Sequence, residues 1–503
     1  MLDYRPDEMS FWDLWFAVDR GTVHMFYQQG LATGSGRDPN HANYIGHAVS
    51  TDLLDWTERP LSVGPGEAGG LEDMWPWTGC AVVNNGTCFM YYTMRSTREN
   101  GKLERTGLAT STDFENWERC SSNPVLECDP RWYINGADLE TFKRIDHRDF
   151  LVVEDPDRGV WFGFYAARIP AEEQAETSVI GCARSCDLIN WEPMPPAFTP
   201  AKYGTVEVPD IFPLNGKWYM TCYTGTGHGN RGIFSDHNII RGSIYAVSDK
   251  PEGPYHEIEG DNVYGAAAPV LNSTRTVEFE GNRYAFSTVD VPGHGGTLTH
   301  PALVTVQPDG KLRLAYAPIT ASLRQKTLIS PENTPLVKSL PYPIAQWARF
   351  PAGKWKLENG VYTGESRTGW QTADLGVGSK NIEVEAVITI ESGAAAGLVY
   401  RPNSEDPGTD SDIAIILDIE TQKVIVARTP VFQEQYIRNH VLKPQQPYHL
   451  RVNIRYPIID VYIDDILVIQ CAVQNTTITN PAVGLFVDRA KVQITNLSAY
   501  QLA

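Results

Sequence analysis

Positive charge is scarce in this chain of 503 residues. Its 42 lysines and arginines face 61 aspartates and glutamates, for a net charge of −19. Such a surface repels phosphate backbones and anionic lipid, so nucleic acid and membrane surfaces are not expected partners. Long apolar runs are also missing, and no stretch approaches the roughly 20 residues needed to span a bilayer as a helix. The N-terminal "MLDYRPDEMS" is polar and acidic, with no basic segment ahead of an apolar core. It does not read as a secretory leader, and the cytoplasm is the expected location. Cysteine is sparse, with 8 in the whole chain, which makes no disulfide framework. The pair in "CARSC", Cys182 and Cys186, has neither a second pair nor a histidine at zinc spacing, so buried thiols are expected and no metal or cofactor is implied.

What the chain has in quantity is short aromatic strands and an internal repeat. Residues 45–56 read "IGHAVSTDLLDW", 106–117 "TGLATSTDFENW" and 180–191 "IGCARSCDLINW", with a looser copy, "GSIYAVSDKPEGPY", from Gly242. The copies recur every 60 to 75 residues or so, the spacing of a repeat architecture. Between them lie "TVHMFYQQ" (22–29), "TCFMYYT" (87–93), "VWFGFYAA" (160–167), "KWYMTCYT" (217–224) and "NRYAFST" (282–288), several directly after a Gly- or Asn-containing turn. Five aromatic strands imply five units of about four short antiparallel strands, and radial stacking buries the faces a single unit would expose. The expected fold is all-β, a five-bladed β-propeller over residues 1–318. Residues 319–346, rich in proline, read as a linker packed along the outside. Strand signals then return, as in "NIEVEAVITI" and "IIDVYIDDILVIQ". Ile459, Val461 and Ile463 alternate with Asp460, Tyr462 and Asp464, the pattern of a sheet with one face in a core and one in water. Residues 347–503 are therefore expected to form a C-terminal β-sandwich.

Three acids stand at similar places relative to the aromatic strands. Asp13 sits in "FWDLWF" ahead of the first, Asp149 in "HRDFLVV" ahead of the third, and Glu207 in "VEVPDIF" ahead of the fourth. The strand that opens a blade lines the central channel, so these positions converge at its mouth. Carboxylates brought together raise one another's proton affinity, so one stays protonated while another stays ionised. Glycosidic hydrolysis needs that division: an acid for the leaving oxygen and a base or nucleophile on the far side of the ring. By contrast, Asp52, Asp113 and Asp187 in the repeats read as turn acids. Trp12, Trp75 and Trp77 offer flat faces for a sugar, and Trp56, Trp117 and Trp191 read as core. Arg148, Glu72, Asp73 and, in the glycine-rich "TGTGHGNRG", His228 with Asn230 and Arg231 are further candidates for substrate contact.

This layout resembles glycoside hydrolase family 32, which shares its clan with family 68 and is related to family 43. The order of the acids matches that family's motifs, and "MWPWTGCAVV" (74–83) is similar to its Trp-Ser-Gly-Ser segment. The closing "VGLFVDRAKVQITNLSAYQL" is similar to its C-terminal sandwich. The resemblance implies Asp13 as nucleophile, Asp149 as transition-state stabiliser and Glu207 as acid/base, acting on a β-fructofuranoside, fructan or difructose-anhydride oligosaccharide by retaining double displacement, with fructosyl transfer as a variant. The chain departs from the family around the nucleophile, where Trp-x-Asn-Asp-Pro-Asn-Gly is absent, and Phe150 and Val208 replace a proline and a cysteine. Two other readings of the residues stay open: an inverting arabinofuranosidase or xylosidase of the family 43 type, and a non-catalytic carbohydrate-binding propeller. A sandwich edge also offers a surface for homo-oligomer formation.

Overall fold

The structure, a computed structural model, describes the chain apart from residues 1–3, 5, 7–8, 32–43, 143, 172–176, 226–240, 260–262, 265–270, 292–294, 334, 336–337, 341–342, 346–347, 350–353, 404–411, 429–432 and 473–477. It is an all-β fold, with a β-propeller followed by a sheet-rich C-terminal region.

The propeller begins with four separate antiparallel sheets. The first comprises β1 (Met9–Asp19), β2 (Thr22–Leu31), β3 (Ile45–Ser50) and β4 (Thr57–Arg59). The second comprises β5 (Trp77–Asn84), β6 (Thr87–Met94), β7 (Arg105–Ser111) and β8 (Glu118–Arg119). The third holds β9 (His147–Asp155), β10 (Val160–Arg168), β11 (Ser178–Ser185) and β12 (Glu192–Phe198). The fourth holds β13 (Glu207–Leu214), β14 (Lys217–Gly225), β15 (Arg241–Ser248), β16 (His256–Glu257) and the short β17 (Val263–Tyr264). A further run follows, β18 (Leu271–Phe279), β19 (Asn282–Val291), β20 (Gly295–Leu298), β21 (Ala302–Val306) and β22 (Leu312–Tyr316). It joins the C-terminal strands through the pairing of Ala315 with Ile466. The opening strands lie side by side, β1 against β5 and β18, β9 against β5 and β13, and β18 against β13.

The repeats do the same local work three times. In each, a serine hydroxyl (Ser50, Ser111, Ser185) accepts the backbone N–H of Leu53, Phe114 or Leu188 at 2.8–2.9 Å. The aspartate two residues on accepts two further N–H groups of the turn. These bonds hold Leu53, Phe114 and Leu188 at φ of 65°, 62° and 66°, a left-handed conformation that side-chain-bearing residues adopt only under such constraint. The turn aims the following tryptophan at the preceding blade: Trp117 packs edge-on against Phe26 of β2, and Trp191 against Tyr91 of β6. Trp56, just before β4, packs edge-on against Phe286 of β19, which brings β19 against the first sheet. The turn-acid and core-tryptophan readings therefore match the structure. Of the cysteines in the repeats, Cys182 is buried, whereas Cys186 is exposed, because it occupies the solvent side of this turn.

Two 21-residue strands dominate the C-terminal region, Asn381–Arg401 and Ala482–Leu502, and they pair along most of their length. The proline-rich stretch before it is more than a linker. It contains a 3-10 turn, Pro318–Leu323, and a strand, Arg324–Ile329, that pairs with the final strand of the chain. The strand Ile458–Ile463 corrects one expectation, since every residue in it is buried and Asp460 and Tyr462 face no water. Their face is covered by the β20–β22 region: His300 Nδ1 meets Asp460 Oδ2 at 2.6 Å, and Tyr316 packs edge-on against Tyr462. The largest apolar cluster accordingly runs from Phe212 and Tyr245 of the fourth sheet and Val289 of β19 into the C-terminal sheets.

Candidate active site

Each opening strand breaks register near its start. The break falls between Phe11 and Leu14 in β1, Trp77 and Gly79 in β5, Glu207 and Asp210 in β13, and Leu271 and Thr274 in β18. In β9 it falls opposite Tyr165, between the partners of Phe164 and Ala166. A bulge bends its strand and re-aims a side chain, and here the bulges turn side chains toward the hub. Asp149 and Val208 reach left-handed φ of 62° and 51°. For residues with a side chain this costs about 1–2 kcal/mol each, and hydrogen bonds at the same atoms offset it. The N–H of Val208 donates to Asp149 Oδ2 at 3.0 Å, and the N–H of Asp149 to Thr93 Oγ1 at 3.1 Å. At Gly79 the backbones press so closely that a Cβ would lie 1.9 Å from the Tyr91 carbonyl oxygen.

The three acids singled out in the sequence come together from three blades, each with a different holder. Asp13 is half-buried and accepts two hydroxyl bonds, from Thr78 Oγ1 of β5 at 2.7 Å and Ser273 Oγ of β18 at 3.0 Å. Glu207 receives Arg148, whose Nη2 and Nε donate to the same Oε2 at 2.7 and 3.1 Å. Asp149 is 3% exposed. Burial pushes its carboxyl well above the usual carboxylate range against the pull of Arg148, and the charges of Glu207 and Asp13 push it further. Asp149 therefore lies within electrostatic reach of both other acids. Arg148 is braced from behind by Asp146 Oδ1 at 2.9 Å and by Glu104 Oε2 at 3.1 Å. Asp146 also pairs with Arg168, and Glu104 with Arg144.

The other predicted contacts divide. Arg148 belongs to the acidic hub. Trp12 is 8% exposed and donates its indole N–H to Gln28 Oε1, so its ring is packed inside rather than presented as a platform. Trp75 and Trp77 are half-buried, but the Arg95 guanidinium lies 3.6 Å over the Trp77 ring and 5.2 Å from that of Trp75. Glu72 accepts the Tyr92 hydroxyl at 2.6 Å and pairs with Arg119, while Asp73 accepts from Gly69 within its own loop and from Thr97 in the connection after β6. Both acids are thus engaged in holding the loop. His228, Asn230 and Arg231 lie outside the described residues. Sequence reasoning missed Thr78, Thr93, Ser273, Glu104 and Asp146. The one signal was that Thr78 falls inside the "MWPWTGCAVV" segment. Among the described residues, no group of three or more His, Cys, Asp or Glu side chains is arranged to hold a metal ion.

A propeller with carboxylates at its hub, joined to a sheet-rich C-terminal region, falls among the β-propeller glycoside hydrolase families. The chain belongs to glycoside hydrolase family 32: the model of that family's N-terminal domain matches residues 15–267, beginning just past Asp13. A sucrose-6-phosphate hydrolase from Zymomonas mobilis is 26% identical over 270 residues, which cover 49% of this chain and 47% of the relative. This chain thus spans about half the length of that relative. An insoluble isoenzyme of beta-fructofuranosidase from Arabidopsis thaliana is 26% identical over 205 residues, covering 39% of this chain and 32% of that protein. Among solved structures, fructan 1-exohydrolase IIa from Cichorium intybus superposes with a TM-score of 0.71 at 16% identity, covering 99% of this chain and 96% of that one. The family 32 beta-fructofuranosidase of Bombyx mori superposes with a TM-score of 0.69 at 18% identity, covering 99% and 94%. At these identities the superpositions establish the fold.

Proposed function

We propose that the chain hydrolyses terminal β-fructofuranosyl bonds of an oligosaccharide by a retaining double displacement. Asp13 attacks the anomeric carbon, and Glu207 protonates the leaving oxygen and then activates the water that releases the sugar. Asp149 binds ring hydroxyls more tightly as oxocarbenium character develops. The observation that carries this reading is the convergence of Asp13, Asp149 and Glu207 from three separate strands, with the charges of the other two acids acting on Asp149. The hydroxyl pair on Asp13 supports its role, since two neutral donors orient the carboxylate and, among the described residues, no cation pairs with it. The relatives support the substrate: two are named for sucrose 6-phosphate and β-fructofuranoside hydrolysis, and solved neighbours are described in complex with sucrose and with 1-kestose. Within this reading we count β18–β22 as a fifth blade closing a propeller of residues 1–318, with residues 347–503 as a β-sandwich.

The test is hydrolysis of sucrose, 1-kestose, inulin and levan, with the first-formed fructose anomer read by NMR. Release of β-fructose before mutarotation is expected, as are fructosyl products when acceptor sugar is in excess. Asp13→Asn and Glu207→Gln are each expected to lower kcat by at least about a thousandfold, within the range of lost acid–base or nucleophilic catalysis. Turnover of none of these sugars, or an Asp13→Asn variant as active as the parent, overturns the reading.

A further inference from the structure

Arg275 on β18 is 2% exposed and is one of the largest fully buried side chains in the molecule. Its Nη1 donates to the carbonyl of Pro209 on β13, and its Nη2 donates to the carbonyl of Gly79 on β5 at 3.4 Å. Since β18 neighbours β1 and β13 while β5 lies beyond β1, the side chain reaches across the hub. Among the described residues it forms no ion pair. A guanidinium buried without a carboxylate is costly, and a methionine or leucine would fill the volume at less expense. Packing alone therefore does not explain it.

What the two acceptors hold does explain it. Gly79 follows Thr78, the donor to Asp13 Oδ2, and Pro209 follows Val208, whose N–H holds Asp149 and which itself follows Glu207. On its own strand Arg275 stands two residues after Ser273, the second donor to Asp13, and next to Thr276, whose N–H donates to Asp210 Oδ2 of β13 at 2.7 Å. Bulges take backbone carbonyls out of the regular ladder, and a buried carbonyl needs a donor. The planar fork of arginine serves two such carbonyls on two strands at fixed separation, which neither an apolar residue nor the single ammonium of lysine reproduces.

We propose that Arg275 is a positioning residue: a strut across the hub that fixes the β5 and β13 bulges, and through them the spacing of Asp13 and Glu207. This rests on the assignment of those two acids made above. Sucrose hydrolysis by Arg275→Lys and Arg275→Met, measured per folded molecule well below each variant's melting temperature, tests it beside Asp13→Asn. Arg275→Lys is expected to lose about ten- to a hundredfold in kcat, the scale at which sub-ångström to ångström misplacement acts, with KM changed little. Arg275→Met is expected to lose more, so that lysine gives partial rescue. Wild-type kcat in both variants, or a raised KM at unchanged kcat, overturns the strut while an inactive Asp13→Asn leaves the site assignment standing. If Arg275→Met fails to fold, Arg275→Lys decides alone. An Asp13→Asn variant with full turnover removes the site assignment and the strut with it.

Discussion

Asp13 and Glu207 are held by opposite kinds of partner, two neutral hydroxyls for one and a guanidinium for the other. Hydrogen bonds to a charged acceptor are worth about 1.5–3 kcal/mol, so Thr78→Val is expected to lower kcat/KM by about ten- to a hundredfold. Steady-state kinetics on the cleaved sugar checks this, and a change of less than about twofold would deny Thr78 its role. Asp149 carries the opposite liability. Its folded carboxyl titrates above the unfolded value, so ionisation costs nothing below the unfolded range near pH 4 and destabilises the fold increasingly as pH rises through the folded value. Asp149→Asn removes that cost. Its melting temperature is expected to exceed the parent's at pH 8 and to converge with it toward pH 4, while activity is lost, a trade common at functional sites. Calorimetry across pH reads the crossover directly.

Among the elements, the repeat was legible and the bulges were not. Gly-x-Ala-x-Ser-x-Asp could be read from the chain because each copy solves the same local problem with the same serine and aspartate. Ser185→Ala removes one of these turn bonds in a buried position and is expected to cost about 1 kcal/mol, seen as a lowered denaturation midpoint with unchanged kcat. The register breaks depend on which residue of the neighbouring strand stands opposite, and no single strand records that. The spacing of Asp13, Asp149 and Glu207 from their aromatic strands indicated a shared place. It could not show that Thr78 and Ser273 would flank Asp13, because hydroxyl residues are common in strands and take their meaning from what they face. The Ile458–Ile463 strand was misread for a related reason, since alternation reveals two unlike faces without saying what covers the polar one.

For the molecule as a whole, the wheel and the C-terminal sheets share one core and a seam of buried polar pairs. Tyr316 of β22 donates to Glu383, and Arg451 stacks on the same tyrosine ring. A fragment ending at residue 323 would expose the large cluster, so it is expected to be insoluble or aggregated where the full chain is monodisperse, as size-exclusion chromatography would show. Acid should also loosen the molecule. Burial lowers His24 to about 4 and His47 and His147 to about 3, against roughly 6.5 when unfolded. Each must stay neutral in the fold, so stability is full above about pH 6.5 and is lost progressively as pH falls toward 4, which a series of melting curves would trace. The cross-bracing of the hub has one more consequence. Because Asp13, Asp149 and Glu207 each lean on a strand belonging to another wedge, no wedge can slacken privately. On gentle heating, turnover should fade before bulk spectroscopic signals move, making the enzyme its own most sensitive gauge of an opening ring.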